Sequence, residues 1–197
     1  MRALASLLAL GFVALPTAAL AHTGHADTAG FAHGFMHPVG GLDHVLAMVA
    51  VGVFAFVLGG RALWLVPLSF VGMMAAGFVL GVNGATLPYA ELAIALSSIV
   101  IGGVAALGRR MPVVAAMALV GGFAVFHGWA HGAEMPADAS GLTYALGFVA
   151  ATALLHLSGI AASAGVAAVT GKYGRTLAQI AGGVFALGGM GVLAGWL

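Results

Sequence analysis

The stretch His37-Pro38-Val39-Gly40-Gly41-Leu42-Asp43-His44-Val45-Leu46-Ala47-Met48-Val49-Ala50-Val51-Gly52 decides the reading of this chain. Its first eight residues hold two imidazoles, a carboxylate, a proline and two glycines, and an unbroken apolar run follows. That run continues to Gly59-Gly60-Arg61, so the stretch marks the entry of a helix into hydrocarbon. A carboxylate and two imidazoles at the mouth of an apolar span are costly there, and such residues mark functional sites.

The composition places the whole chain in a bilayer. Of its 197 residues 62% are hydrophobic and only 6% charged, with no cysteine, and the mean hydropathy is +1.15. Soluble domains carry about 25% charged residues, so an integral membrane protein is expected and a lipid bilayer is its first partner. The absence of a basic patch excludes nucleic acid as a partner. Without cysteine, a metal would be held by nitrogen and oxygen, with thioether help at most.

Working outward, residues 1–21 read as a cleavable signal peptide. Arg2 forms the basic n-region, Ala3 to Leu15 the apolar stretch, and Ala19-Leu20-Ala21 the cleavage site. Residues 22–40 read as a periplasmic segment carrying His22, His25 and His33, a metal-collecting tail or simply a flexible one. Residues 41–197 form the membrane domain, an all-α bundle of six spans at about 41–59, 63–82, 89–107, 112–131, 141–163 and 176–196. Glycine, proline and charge clusters punctuate these ends.

With the mature N-terminus outside, Arg61, Arg109, Arg110, Lys172 and Arg175 all fall in cytoplasmic loops. The positive-inside rule then gives a multi-pass protein of the bacterial inner membrane with a periplasmic N-terminus. Trp129, Trp196, Tyr89 and Tyr144 are expected at the outer interface and Trp64 at the inner one. Gly77/Gly81, Gly128/Gly132 and Gly191/Gly195 have the spacing of close-packed membrane helices, within the chain or between copies in a homo-oligomer.

The ionisable residues left in or near the spans are few: Asp43, His44, Glu91, His127, His131, Glu134 and His156. Asp43, His44, Glu91 and His131 lie at similar depth on three helices. On a regular helix Asp43 and His44 point about 100° apart, but Pro38, Gly40 and Gly41 allow an interrupted start that gathers His37, Asp43 and His44. Interrupted helix ends commonly form membrane ion sites. His127, His131 and Glu134 follow helical spacing and offer a second chelating face. Met48, one turn below His44, is a soft second-stage contact or core filler. His156, deeper, is a relay ligand or a hydrogen-bonded packing residue.

Taken together, His37-Pro38-x-x-Gly41-x-Asp43-His44-x-Leu46-Ala47-Met48 resembles the signature of the HupE/UreJ family of nickel and cobalt permeases. His127-Gly128-x-Ala130-His131-Gly132-x-Glu134 and Leu155-His156-x-x-Gly159 extend the likeness over nearly all of the chain. The resemblance implies Ni²⁺ or Co²⁺ as transported substrate, with no resident cofactor, for metalloenzymes such as hydrogenase or urease. It implies His37, Asp43, His44, Glu91, His131 and Glu134 as functional residues, and Phe70 as a lining residue of the path. The expected protein is a carrier, not an enzyme. A membrane haem-binding protein and a non-transporting metal-sensing accessory protein are the rival readings. The chain lacks His-Glu-x-x-His, which speaks against a metalloprotease.

Overall fold

Small residues let the helices of this chain approach until their backbones touch, and four such contacts organise the architecture. The computed structural model describes residues 26–137 and 139–197. Among them it is helical, without strands: α1 (Ala26–Gly40), α2 (Leu42–Leu58), α3 (Ala62–Val82), α4 (Ala90–Leu107), α5 (Val113–Ala133), α6 (Gly141–Thr170) and α7 (Gly174–Leu193), with one 3₁₀ turn (Gly171–Tyr173) before α7. The signal peptide, His22 and His25 lie outside the described residues.

Helices α3, α4 and α5 and the run Gly141–Leu193 are long and apolar enough to cross a membrane. The bent pair Gly30–Gly40 and Leu42–Leu58 makes a fifth candidate. The long run is two helices, because α7 turns at Gly171 (φ 56°) and packs back against α6 and α2. Helix α2 is the hub, packed against α6, α4, α7 and α3, while α3 pairs with α5, α4 with α7 and α1 with α6. Phe54, Phe70, Phe148, Met48 and Met74 fill the core between them.

At each major pairing a glycine faces a neighbouring backbone. A Cβ at Gly34 would strike the Tyr144 carbonyl, and one at Gly52 the His156 carbonyl. Gly102 and Gly182 meet between α4 and α7. Gly77 and Gly81 of α3 lie against α5 at Val125 and Trp129, while Gly128 and Gly132 lie against Met74 and Phe78. Two of the three glycine pairs noted in the sequence are therefore spent within one chain. The third is not packed that way, since Gly195 (φ 70°) faces open space.

Two expectations are corrected. The segment assigned to residues 22–40 is helical from Ala26 and lies along α6, because Gly34 and Gly147 let the two backbones meet. Tyr144 is not interfacial; it is 1% exposed inside the bundle, beside His37 and Phe148. The ends of the molecule agree with the charge pattern. Arg175 donates to the Gly108 carbonyl (3.2 Å), which joins two basic loops at one end. Trp129 donates to the Ala85 carbonyl (2.6 Å) at the opposite end, near Glu134.

Gly128→Ala should destabilise the protein by about 1–3 kcal/mol through overpacking against Met74. Gly122→Ala, which meets nothing within 4 Å, should not. Unfolding of both variants in detergent micelles checks the contrast.

Candidate metal site

The axis of the chain turns by 82° between Gly30–Gly40 and Leu42–Leu58. Pro38 lies in the last turn of α1, and Gly41 caps α2 with extended backbone (φ −98°, ψ 118°). This break frees α1 to leave the direction of α2 and lie on α6. His37, at the end of α1, is thereby carried over the start of α2 and against the end of α5.

Four imidazoles follow one another from that point. His37 and His131 have ring centroids 4.8 Å apart, His131 and His44 5.3 Å, and His44 and His127 4.8 Å, each pair meeting edge to face. Below them Phe70 lies 5.5 Å from His127 and 5.0 Å from His156. The imidazoles come from α1, α2, α5 and α6 and the Phe70 ring from α3, and the i, i+4 spacing of His127 and His131 makes the step down α5 about 6 Å. His131 is held flat by Phe148, stacked at 4.8 Å and 6°.

Polar groups flank the file. Glu134, just past the end of α5, meets His37 Nε2 at 3.1 Å. Asp43 Oδ1 accepts from the His44 backbone N–H (2.8 Å) and lies 3.0 Å from His44 Nδ1. A carboxylate can only accept there, so Nδ1 carries the proton and Nε2 keeps its lone pair. That single interaction resolves the problem of adjacent residues pointing apart: Asp43 turns back onto its neighbour. On α4, Ser97 Oγ lies 3.0 Å from His127 Nε2.

Seven buried polar atoms of the file and its wall have no protein partner: His44 Nε2, His127 Nδ1, both ring nitrogens of His131 and of His156, and the Tyr144 hydroxyl. Leaving a buried donor or acceptor unsatisfied costs about 1–3 kcal/mol, and His127 and His131 are fully buried. So many bare imidazole nitrogens in one apolar interior fit a ligand that visits. Among the described residues no three His, Asp or Glu side chains already close round one point. The rings of His37, His131 and His44 are instead mutual neighbours, with 6.3 Å between His37 and His44, and His127 follows beyond them. A vestibule of about 380 Å³, lined by His33, His37, Glu134 and Tyr144, opens above the first of them.

Of the residues singled out from sequence, the structure brings together His37, Asp43, His44, His127, His131 and Glu134, with Phe70 and His156 beneath and His33 exposed at the vestibule. Met48 is fully buried in the hydrophobic core, which favours its reading as filler. Glu91 stands exposed in the first turn of α4, outside the file. Its helix contributes Ser97 in its place, six residues further in. The pair Ser97-Ser98 within an otherwise apolar span was the available signal.

A family model described as HupE / UreJ protein matches residues 9–192. The chain belongs to the HupE/UreJ family. It is 47% identical over 188 residues to Protein HupE of Rhizobium leguminosarum bv. viciae, covering 94% of this chain and 95% of that one. No solved structure matches it. The site described above thus lies in a member of this family, built from segments within the matched range.

A Cβ at Gly41 would fall 2.8 Å from Asp43 Oδ1 and 3.1 Å from His44 Nδ1, whereas one at Gly40 meets nothing within 4 Å. If this site holds a divalent metal, Gly41→Ala should therefore weaken its binding, tested with Ni²⁺, roughly 10-fold or more by disturbing the Asp43–His44 pair. Gly40→Ala should bind as the parent does. Calorimetric titration of both purified variants checks this.

Proposed function

We propose that this protein carries a divalent transition-metal ion, Ni²⁺ or Co²⁺, across the inner membrane from the periplasm to the cytoplasm. The observation that carries the reading is the group of His37, His131, His44 and His127, in which buried nitrogens of His131, His44 and His127 lack protein partners in an apolar interior. Imidazole and carboxylate suit both ions, which are neighbours in the divalent affinity order. The family relationship supports the same reading.

The chemistry follows from the order of the groups. The vestibule has room for a cation that still holds several waters. Glu134 and Asp43 supply two negative charges where the dication leaves bulk solvent, and Glu91 adds a third at that end. Imidazole nitrogens then replace water ligands in turn. Because the donors are strung out and not closed into a cage, each exchange is between similar sites, and a conducted ion needs ligands that release it.

Below His127 the ring of Phe70 separates the file from His156, so passage inward requires that ring to move. The basic loops gathered at one end support that end as the cytoplasmic one and the vestibule end as the periplasmic one. An inside-negative potential favours dication entry by about 4.6 kcal/mol per 100 mV for two charges.

Purified protein in liposomes should take up Ni²⁺ or Co²⁺ saturably, and Asp43→Asn and His44→Ala should abolish uptake while leaving the fold intact. Metal binding without flux would instead support a sensing or accessory protein, and a Soret band in the purified protein a haem protein.

A further inference from the structure

Ser97 of α4 is fully buried and makes two contacts whose chemistry leaves one arrangement. Its Oγ lies 2.6 Å from the Ile94 carbonyl and 3.0 Å from His127 Nε2. A carbonyl oxygen only accepts, so the short contact to Ile94 takes the single hydroxyl proton. The remaining interaction must then run the other way, with His127 Nε2–H donating to a lone pair of Ser97 Oγ. His127 is consequently the Nε2-protonated tautomer, and its bare nitrogen is Nδ1. That atom is buried and has no partner, and its ring stands edge to face with His44, 4.8 Å away.

We infer that Ser97 is a positioning residue for the metal path: it fixes the His127 tautomer so that Nδ1 is the nitrogen offered to the cation. The inference rests on the transport reading above and adds a residue to it. His44 is prepared in the same manner but with opposite hand. There Asp43 holds the proton on Nδ1 and leaves Nε2 bare. Two neighbouring imidazoles are thus each set by one hydrogen bond, His44 by a carboxylate and His127 by a hydroxyl. The carboxylate stands at the partly exposed mouth and the neutral hydroxyl at the fully buried position, where a charged group would carry a larger desolvation cost. Fixing the proton also removes the need to move it before the metal can bind, which is the general role of groups behind a metal-ligating histidine.

The test uses the full-length protein in detergent or lipid with ¹⁵N-labelled histidine, His127 being assigned by comparison with His127→Gln. In the metal-free wild type, Nε2 should carry the proton and Nδ1 should be bare. Ser97→Ala should shift the proton distribution and weaken Co²⁺ binding by roughly 10- to 100-fold. Ser97→Thr, which keeps the hydroxyl, should restore most of both. A proton on Nδ1 in the wild type would overturn the inference whatever the variants do. Wild-type Co²⁺ binding that survives Ser97→Ala unchanged would overturn it and leave the transport reading standing. Failure of the wild type itself to bind Co²⁺ would overturn both.

Discussion

The break between α1 and α2 is the constraint on which the site depends. A continuous helix through Gly40 and Gly41 would carry His37 on along the axis of α2, away from the end of α5. The 82° turn lays α1 on α6 and delivers His37 to His131 and Glu134. Pro38 and the two glycines supply the local freedom, but the direction of the turn is set elsewhere. It is held by the meeting of Gly34 with the Tyr144 backbone and of Gly147 with Phe31. The geometry of the proposed metal path therefore rests on packing that involves no candidate ligand.

That packing also answers an energetic difficulty. Lipid tails are as apolar as the side chains of the bundle, so burial of apolar surface gives helices in a membrane little reason to associate. Close backbone contact through glycine supplies dispersion and tight fit in its place. A tightly packed bundle can then hold several unsatisfied imidazole nitrogens in its interior, each a local cost. Asp43, Ser97 and Glu134 each offset part of this cost and orient a ring in doing so. The apolar walls, Phe70, Phe148 and the buried ring of Tyr144, keep the path narrow.

Much of this was legible in the sequence because ionisable groups in an apolar chain have few structural excuses. Asp43, His44, His127 and His131 stood out for that reason, and the structure sets them side by side. The spans of α3, α4 and α5 were also readable, since Gly, Pro and Arg mark their ends. Helix α1 was not, because Gly30, Gly34 and Pro38 read locally as loop residues, while Gly34 is there for a contact more than a hundred residues away. Tyr144 was misplaced for a similar reason: an aromatic hydroxyl near a helix start reads as interfacial until α1 covers it. Ser97 was hidden because a serine in a membrane helix by default bonds its own backbone. Only the approach of α5 gives its oxygen a second partner.

The central claim is that imidazoles from both sides of the helix break bind the transported ion. X-ray absorption at the nickel edge of the Ni²⁺-loaded protein tests it most directly. The account predicts nitrogen and oxygen ligands with the outer-shell scattering of at least two imidazoles, reduced when His37 on one side of the break or His44 on the other is replaced by alanine. A spectrum of oxygen ligands alone, or one unchanged by both substitutions, would contradict it.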